Sequence, residues 1–159
     1  GGPVTWSPGH WARIALNLTG QVELVAEQPY PHPPDDRRYY REHEWAKADA
    51  PDTVVIGITD YAVGELGDIV WVQLPEIGTR LGQFERFGEI ESVKAVSDLF
   101  TPVSGEIVAV NQGLAQHPEL VGHAPFTDGW LLRIRLAAPA ELDRLMDAEA
   151  YRNYIEGLG

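Results

Sequence analysis

The chain has 159 residues, with 12 Lys and Arg against 24 Asp and Glu, for a formal net charge of −12. Hydrophobic residues make up 44%, which argues for one domain with a real core and against disorder; no run approaches the roughly 20 apolar residues of a membrane span, and no stripe of Lys and Arg exists to track the phosphates of a nucleic acid. The absence of cysteine excludes disulfides, thiolate catalysis and zinc-cysteine sites, so any thiol chemistry has to arrive on a cofactor.

In chain order, Ile14, Leu16 and Leu18 alternate with small or polar residues, Thr19-Gly20 interrupts, and Val22 and Leu24 alternate again. That pattern predicts a β-hairpin. The run Pro29-Tyr30-Pro31-His32-Pro33-Pro34-Asp35-Asp36 predicts a stiff, extended linker. Residues 1–36 therefore read as an appendage of unassigned role, and 37–159 as the main domain. The appendage matches neither a transit peptide nor a secretory signal: basic residues are scarce, Glu23 and Glu27 are present, and a continuous apolar run is missing. Gly1 in place of methionine reads as a processed or added end.

Arg37 to Lys47 mixes charge with aromatics, and Trp45 is expected on the core. His43-Glu44 could be half of a metal site or plain structure; no second close pair of ligands supports the metal reading. Asp52 to Ile58 reads as a strand, and Thr59 or Asp60 as the cap of a short helix through Leu66, ended by Gly67. Gly64 within it costs about 1 kcal/mol relative to Ala, so packing must hold this helix. Gly67 to Leu74 is another strand. Its Gly-acid-Ile-Val-x-Val pattern returns at Gly105 to Val110, which is either a two-half repeat or chance among valine-rich strands. Pro75, Gly78 and Gly82 mark turns.

Between the two similar strands stands Lys94. Phe87, Ile90 and Val93 lead into it; Leu99, Phe100, Val103 and Ile107 lead away. The β-branched and aromatic content predicts a hairpin that presents Lys94 at its tip. Residues 111–128 read as loop-rich, with His117 and His123 as surface histidines. Gly129 to Leu136 reads as a central strand. Pro139 opens a helical region in which Leu142, Leu145 and Met146, then Ala150, Tyr154 and Ile155, keep helical spacing, with Asp147 as a cap.

Gly88 to Val110 resembles the lipoyl attachment hairpin of the glycine cleavage system H proteins. Glu91-Ser92-Val93-Lys94-Ala95, Ser97-Asp98 and Pro102-Val103-Ser104-Gly105 carry the likeness. His43-Glu44-Trp45, Gly57-Ile58-Thr59-Asp60-Tyr61-Ala62, Leu66-Gly67-Asp68, Leu74-Pro75, Pro118-Glu119-Leu120-Val121, Gly129-Trp130 and Asp147-Ala148-Glu149-Ala150-Tyr151 follow in the family's order. The likeness runs from about residue 39 to the end. It departs at Gly122-His123-Ala124-Pro125-Phe126, at Glu42 and at Glu65.

The resemblance implies a mainly β fold with short helices, a barrel-sandwich hybrid of the lipoyl/biotinyl-carrier type with C-terminal helices. It implies lipoic acid in amide linkage to Lys94, on an arm of about 14 Å counted from standard bond lengths. It implies a non-catalytic shuttle. The pyridoxal-phosphate glycine decarboxylase loads an aminomethyl group, the aminomethyltransferase removes it, dihydrolipoyl dehydrogenase reoxidises the arm, and a lipoate-attaching enzyme installs it. Glu91 and Gly105 are implied in recognition by that last enzyme. Glu44, Ile58 and Asp98 are implied to line a cleft for the loaded arm. A monomer in a bacterial cytoplasm is expected.

Other readings stay open at this stage. An H-like protein could relay lipoate to other enzymes. A biotin carrier usually flanks its lysine with methionines, where this chain has Val93 and Ala95; acyltransferase lipoyl domains usually carry Asp-Lys-Ala. A serine-lysine hydrolase using Ser92 and Lys94 needs a desolvated lysine in a pocket, and a hairpin tip is the wrong place for one.

Overall fold

The structure is a computed structural model that describes residues 11–16, 18–27 and 33–158. It divides into two units, Gly1–Pro33 and Pro34–Gly159. In the first, β1 (Trp11–Leu16) and β2 (Val22–Glu27) pair antiparallel with Ile14 opposite Leu24. This is the hairpin the alternation predicts, turning through Thr19-Gly20, where Gly20 has φ +80°. Residues 29–32 of the expected linker lie outside the described residues.

The second unit opens with β3 (Arg38–Tyr39) and β4 (Glu44–Ala50), neither of which sequence patterning predicts. The β4 segment EWAKADA is poor in β-branched residues. It is a strand because β3 and β5 (Thr53–Ile58) supply hydrogen bonds along both its edges. Thr59 caps α1 (Asp60–Leu66), its hydroxyl accepting the Ala62 N–H, and Gly67 ends it at φ +82°. Then follow β6 (Ile69–Gln73), β7 (Arg80–Leu81), β8 (Arg86–Ser92), β9 (Val96–Phe100) and β10 (Gly105–Val110). The region expected as loop holds a 3-10 turn at Gln112–Ala115 and α2 (Glu119–His123). The strand expected from Gly129 starts later, as β11 (Leu132–Leu136), because Trp130 still closes a turn by donating to Thr127 O at 3.1 Å.

Two sheets result. One has the order β3-β4-β5-β11-β10-β7, with β11 central as expected; the other has the order β6-β8-β9. Their inner faces share one core, in which Ile56, Ile107, Leu132 and Ile134 of the larger sheet join Ile90 and Leu99 of the smaller. Burial of that apolar surface, at about 25 cal/mol per Å², is the main force holding the sheets together. The run away from Lys94 therefore does not form one strand: β9 and β10 lie in different sheets, and Thr101–Ser104 crosses between them. The two Gly-acid-Ile-Val segments likewise take one strand in each sheet.

The C-terminal region begins as a 3-10 helix at Pro139–Arg144 rather than an α-helix. Asp147 then caps α3 (Ala148–Leu158), its Oδ1 accepting the Ala150 N–H at 2.8 Å. The buried face of α3 is Ala148, Tyr151 and Ile155, whereas Ala150 is exposed. Tyr151 stacks on Tyr39 with centroids 4.7 Å apart. Among the described residues no helix is long and apolar enough to cross a membrane.

Candidate functional site

Lys94 sits at the tip of the β8–β9 hairpin, beyond the last cross-strand pair, Glu91 opposite Val96. Ser92 makes the tip. Its N–H donates to Ala95 O at 2.8 Å, and its hydroxyl oxygen accepts the N–H groups of Lys94 and Ala95 at 3.3 and 3.1 Å. This is the local side-chain-to-backbone bonding for which serine is favoured in turns. Val93 N–H donates to Asp68 O at 3.0 Å, which fastens the tip to the start of β6. Lys94 is exposed, and its Cε passes Gly67 closely enough that a Cβ built there would lie 3.7 Å away. The Ser92 hydroxyl is bonded within the turn, also reaching Ala95 O at 3.3 Å.

Beside the tip lies a cleft of about 510 Å³ between β9, α1 and the turn before β4. Val96, Ser97 and Asp98 form one wall; Tyr61, Glu65 and Leu66 form another; Glu42 and His43 close the end. His43 takes φ +77° there, and its Nδ1 lies 2.8 Å from Tyr151 Oη, which also bonds Thr59 Oγ1 at 2.7 Å. Helix α3 thus fixes both the end of the cleft and the start of α1. Burial lowers the His43 pKa to about 4, so the ring is neutral at neutral pH.

The residues implied for the cleft are placed differently from one another. Asp98 lines it, yet its Oδ1 accepts from Arg86 Nε at 2.7 Å, and Arg86 also reaches Glu89 at 3.2 Å. Glu44 and Ile58 pair across β4 and β5 and are buried, outside the cleft lining. Glu44 is bonded to the cleft wall all the same: its Oε2 accepts the Phe100 N–H at 3.1 Å, while Oε1 is buried with no partner. Burial holds its carboxyl well above the usual carboxylate range. Glu42 and Glu65, both departures from the family pattern, stand exposed on the cleft lining.

Glu91 lies three residues before Lys94, half-buried on the hairpin. Gly105 lies in the other sheet, opposite Leu136 and Leu81. A Cβ at Gly105 would run into the carbonyl oxygen of Arg135, and its φ is +156°. The His43-Glu44 pair does not converge on one point, His43 bonding Tyr151 and Glu44 bonding Phe100. No group of three or more candidate ligands gathers among the described residues. His117 and His123 are exposed. The departure at Gly122–Phe126 has a structural use: Pro125 O accepts from Trp45 Nε1 at 3.1 Å, and Phe126 O from Arg37 Nη1 at 2.9 Å.

Sequence reasoning marked Thr59 as a cap and Tyr151 within the family motifs but gave neither a place behind His43, and it missed Arg86 on Asp98. Local pattern does not record these roles, because each acts through a partner elsewhere in the chain.

The two-sheet β scaffold with its short helices is the barrel-sandwich fold of lipoyl-carrier domains, and Lys94 stands exposed at one of its hairpin tips. The comparisons narrow this. A sequence profile of the family "Glycine cleavage H-protein" matches residues 37–157. The glycine cleavage system H protein of Halothermothrix orenii is 49% identical over 123 residues, spanning 77% of this chain and 95% of that protein. The one from Chromohalobacter salexigens is 52% identical over 120 residues, 76% and 92% of the two chains. A crystal structure of a glycine cleavage system H protein from Mycobacterium marinum is 41% identical and superposes with a TM-score of 0.71, covering 77% of this chain and 98% of that one. The chain belongs to the glycine cleavage H-protein family.

Proposed function

We propose that this protein is the lipoyl carrier of a glycine cleavage system, with the lipoyl group in amide linkage to Lys94. The observation that carries the reading is the placement of Lys94: exposed on a turn that Ser92 and Asp68 hold, two residues before Val96 of the cleft wall. The cleft suits such a group. Val96, Leu66, Tyr61 and Phe100 offer an apolar lining to a hydrocarbon arm, and carboxylates stand on the lining. When bound, the lipoyl group supplies the disulfide–dithiol pair that this Cys-free chain lacks and carries the aminomethyl carbon of glycine between enzymes.

The chain's own residues present, receive and shield. Ser92 and the Val93–Asp68 bond hold Lys94 at the exposed tip, so a finished arm of about 14 Å reaches into separate active sites. Glu42 and Glu65 give the cleft a negative potential that favours a cationic end group, with Asp98 on the same lining held by Arg86. Glu44 adds a carboxyl oxygen without a partner next to the wall at Phe100, where a buried cation would restore its charge. Ile58, paired with Glu44 across β4 and β5, adds buried apolar surface beside that carboxyl. Glu91 is assigned to recognition in the lipoylation step by its position on the hairpin, whereas Gly105, in the other sheet, is assigned to the packing of β10 against β11. The partners are glycine decarboxylase, aminomethyltransferase, dihydrolipoyl dehydrogenase and a lipoate-attaching enzyme. The bacterial relatives support a bacterial cytoplasmic setting.

The test is intact mass after co-expression with a lipoate ligase and lipoate. Wild type gains one lipoyl increment and Lys94→Ala gains none. Wild type without the increment, while the ligase modifies a control substrate, sinks the assignment.

A further inference from the structure

The smaller sheet turns an apolar face outward beside Lys94. A β-bulge between Ile69 and Trp71 breaks the alternation of β6. Ile69 goes into the core, while Val70 and Trp71 both stand outward at 48% and 46% exposure. Trp71 lies opposite Glu91, and Glu91 opposite Val96, so the three form one cross-strand row next to the tip. Val96 is 60% exposed and Val93, at the tip itself, 69%. Val70 and Trp71 on one side of half-buried Glu91, and Val93 and Val96 on the other, leave apolar side chains against water beside the tip, the kind of surface that marks a contact site.

We propose that this face, centred on Trp71 with Val70, Val93 and Val96, is the docking surface for the enzyme that acylates Lys94. The proposal rests on the reading of Lys94 as the attachment point. Reach decides which partner it serves. An unmodified lysine extends about 6 Å from Cα to Nζ, and its attack on an acyl carbon needs an approach of about 3 Å. The attaching enzyme must therefore seat on the tip and its surroundings. An enzyme that uses the finished arm can stand about 14 Å off.

Charge decides the partner's complement. Glu91 stands within the row and Asp68, whose carbonyl bonds Val93, stands beside the tip, whereas Glu89 and Asp98 are already answered by Arg86. The matching surface is an apolar patch rimmed by Lys or Arg. In the step itself, the neutral Nζ amine bonds the carbonyl carbon of an activated lipoyl donor and gives up one proton to solvent as the amide forms. The bond to the activating group breaks, that group leaves with the electron pair, and nothing is oxidised or reduced.

The test uses the full chain, a lipoate ligase, lipoate and ATP. Trp71→Thr keeps a strand-forming residue and removes the indole; Val96→Thr keeps the shape and adds a hydroxyl. Both are expected to melt within a few degrees of wild type and to lose about tenfold in kcat/KM for lipoylation, through KM. A chain that cannot be modified, Lys94→Gln, is expected to inhibit lipoylation of wild type competitively, and Lys94→Gln/Trp71→Thr to inhibit at least tenfold more weakly. Once driven to full lipoylation by excess ligase, Trp71→Thr is expected to support glycine–bicarbonate exchange like wild type. Unchanged KM in both single variants, or equal inhibition by the two unmodifiable chains, overturns the docking surface while leaving Lys94 as the attachment point. An equal loss in lipoylation and in exchange overturns the assignment to the attaching enzyme. Failure of wild type to take the lipoyl group overturns both readings.

Discussion

Replacing Gly105 by Ala separates two accounts of that glycine. It belongs to the attachment motif by resemblance, yet it lies in the sheet that does not carry Lys94. A Cβ there meets the Arg135 carbonyl oxygen, with the Ile134 side chain 3.1 Å away, at φ +156°. Holding a non-glycine residue in such a conformation costs about 1–3 kcal/mol. Parting β10 from β11 at the Gly105–Leu136 and Glu106–Arg135 pairs weakens their hydrogen bonds, at about 1 kcal/mol each. The total is about 4 kcal/mol, which for a domain of this size lowers Tm by roughly 12 °C. The assay is thermal melting together with single-turnover lipoylation well below the melting point. The expected outcome is a large fall in Tm and near-normal lipoylation of the fraction that remains folded. A variant that melts like wild type but is no longer lipoylated would refute the steric account and return Gly105 to direct recognition.

Three further predictions follow from the site. In Glu44 the folded state holds a proton more tightly than the unfolded chain, so wild-type stability falls as pH rises above the ordinary carboxyl value and levels off above the raised one. Glu44→Gln keeps the acceptor for Phe100 N–H and carries no charge; it is expected to gain Tm over wild type progressively from pH 5 to 8, and a constant difference across that range would contradict a buried neutral carboxyl. Arg86→Ala is expected to leave Tm within about 2 °C, as for a surface pair, and to free Asp98 for the cleft. Formaldehyde should then leave the aminomethyl-loaded protein more slowly than from wild type, and equal or faster release argues against Asp98 as a shielding residue. Asp147→Ala removes the cap of α3 and is expected to cost about 1 kcal/mol, or about 3 °C in Tm; an unchanged melting curve would mean that the bond to Ala150 contributes nothing.

The sequence by itself determined the elements whose signals are local. The hairpin around Lys94, the strands at 53–58, 69–73 and 105–110, Thr59 and Asp147 as helix caps and Gly67 as a stop all follow from side-chain alternation, β-branching, capping hydroxyls or carboxylates, and positive φ. These act within a few residues, so one chain segment contains the whole cause. The tertiary structure alone decided the rest. Strand β4 exists because two neighbours pair with a weak strand former. Strands β9 and β10, continuous in hydrophobic pattern, part into different sheets at Thr101–Ser104. Asp98 reaches the cleft already bound to Arg86, and Glu44 stands buried behind Phe100 with one oxygen unpaired. The turn at His43 is held by Tyr151, more than a hundred positions away in the chain. Pairing, burial and the sharing of charge belong to neighbours in space, and no local pattern records them.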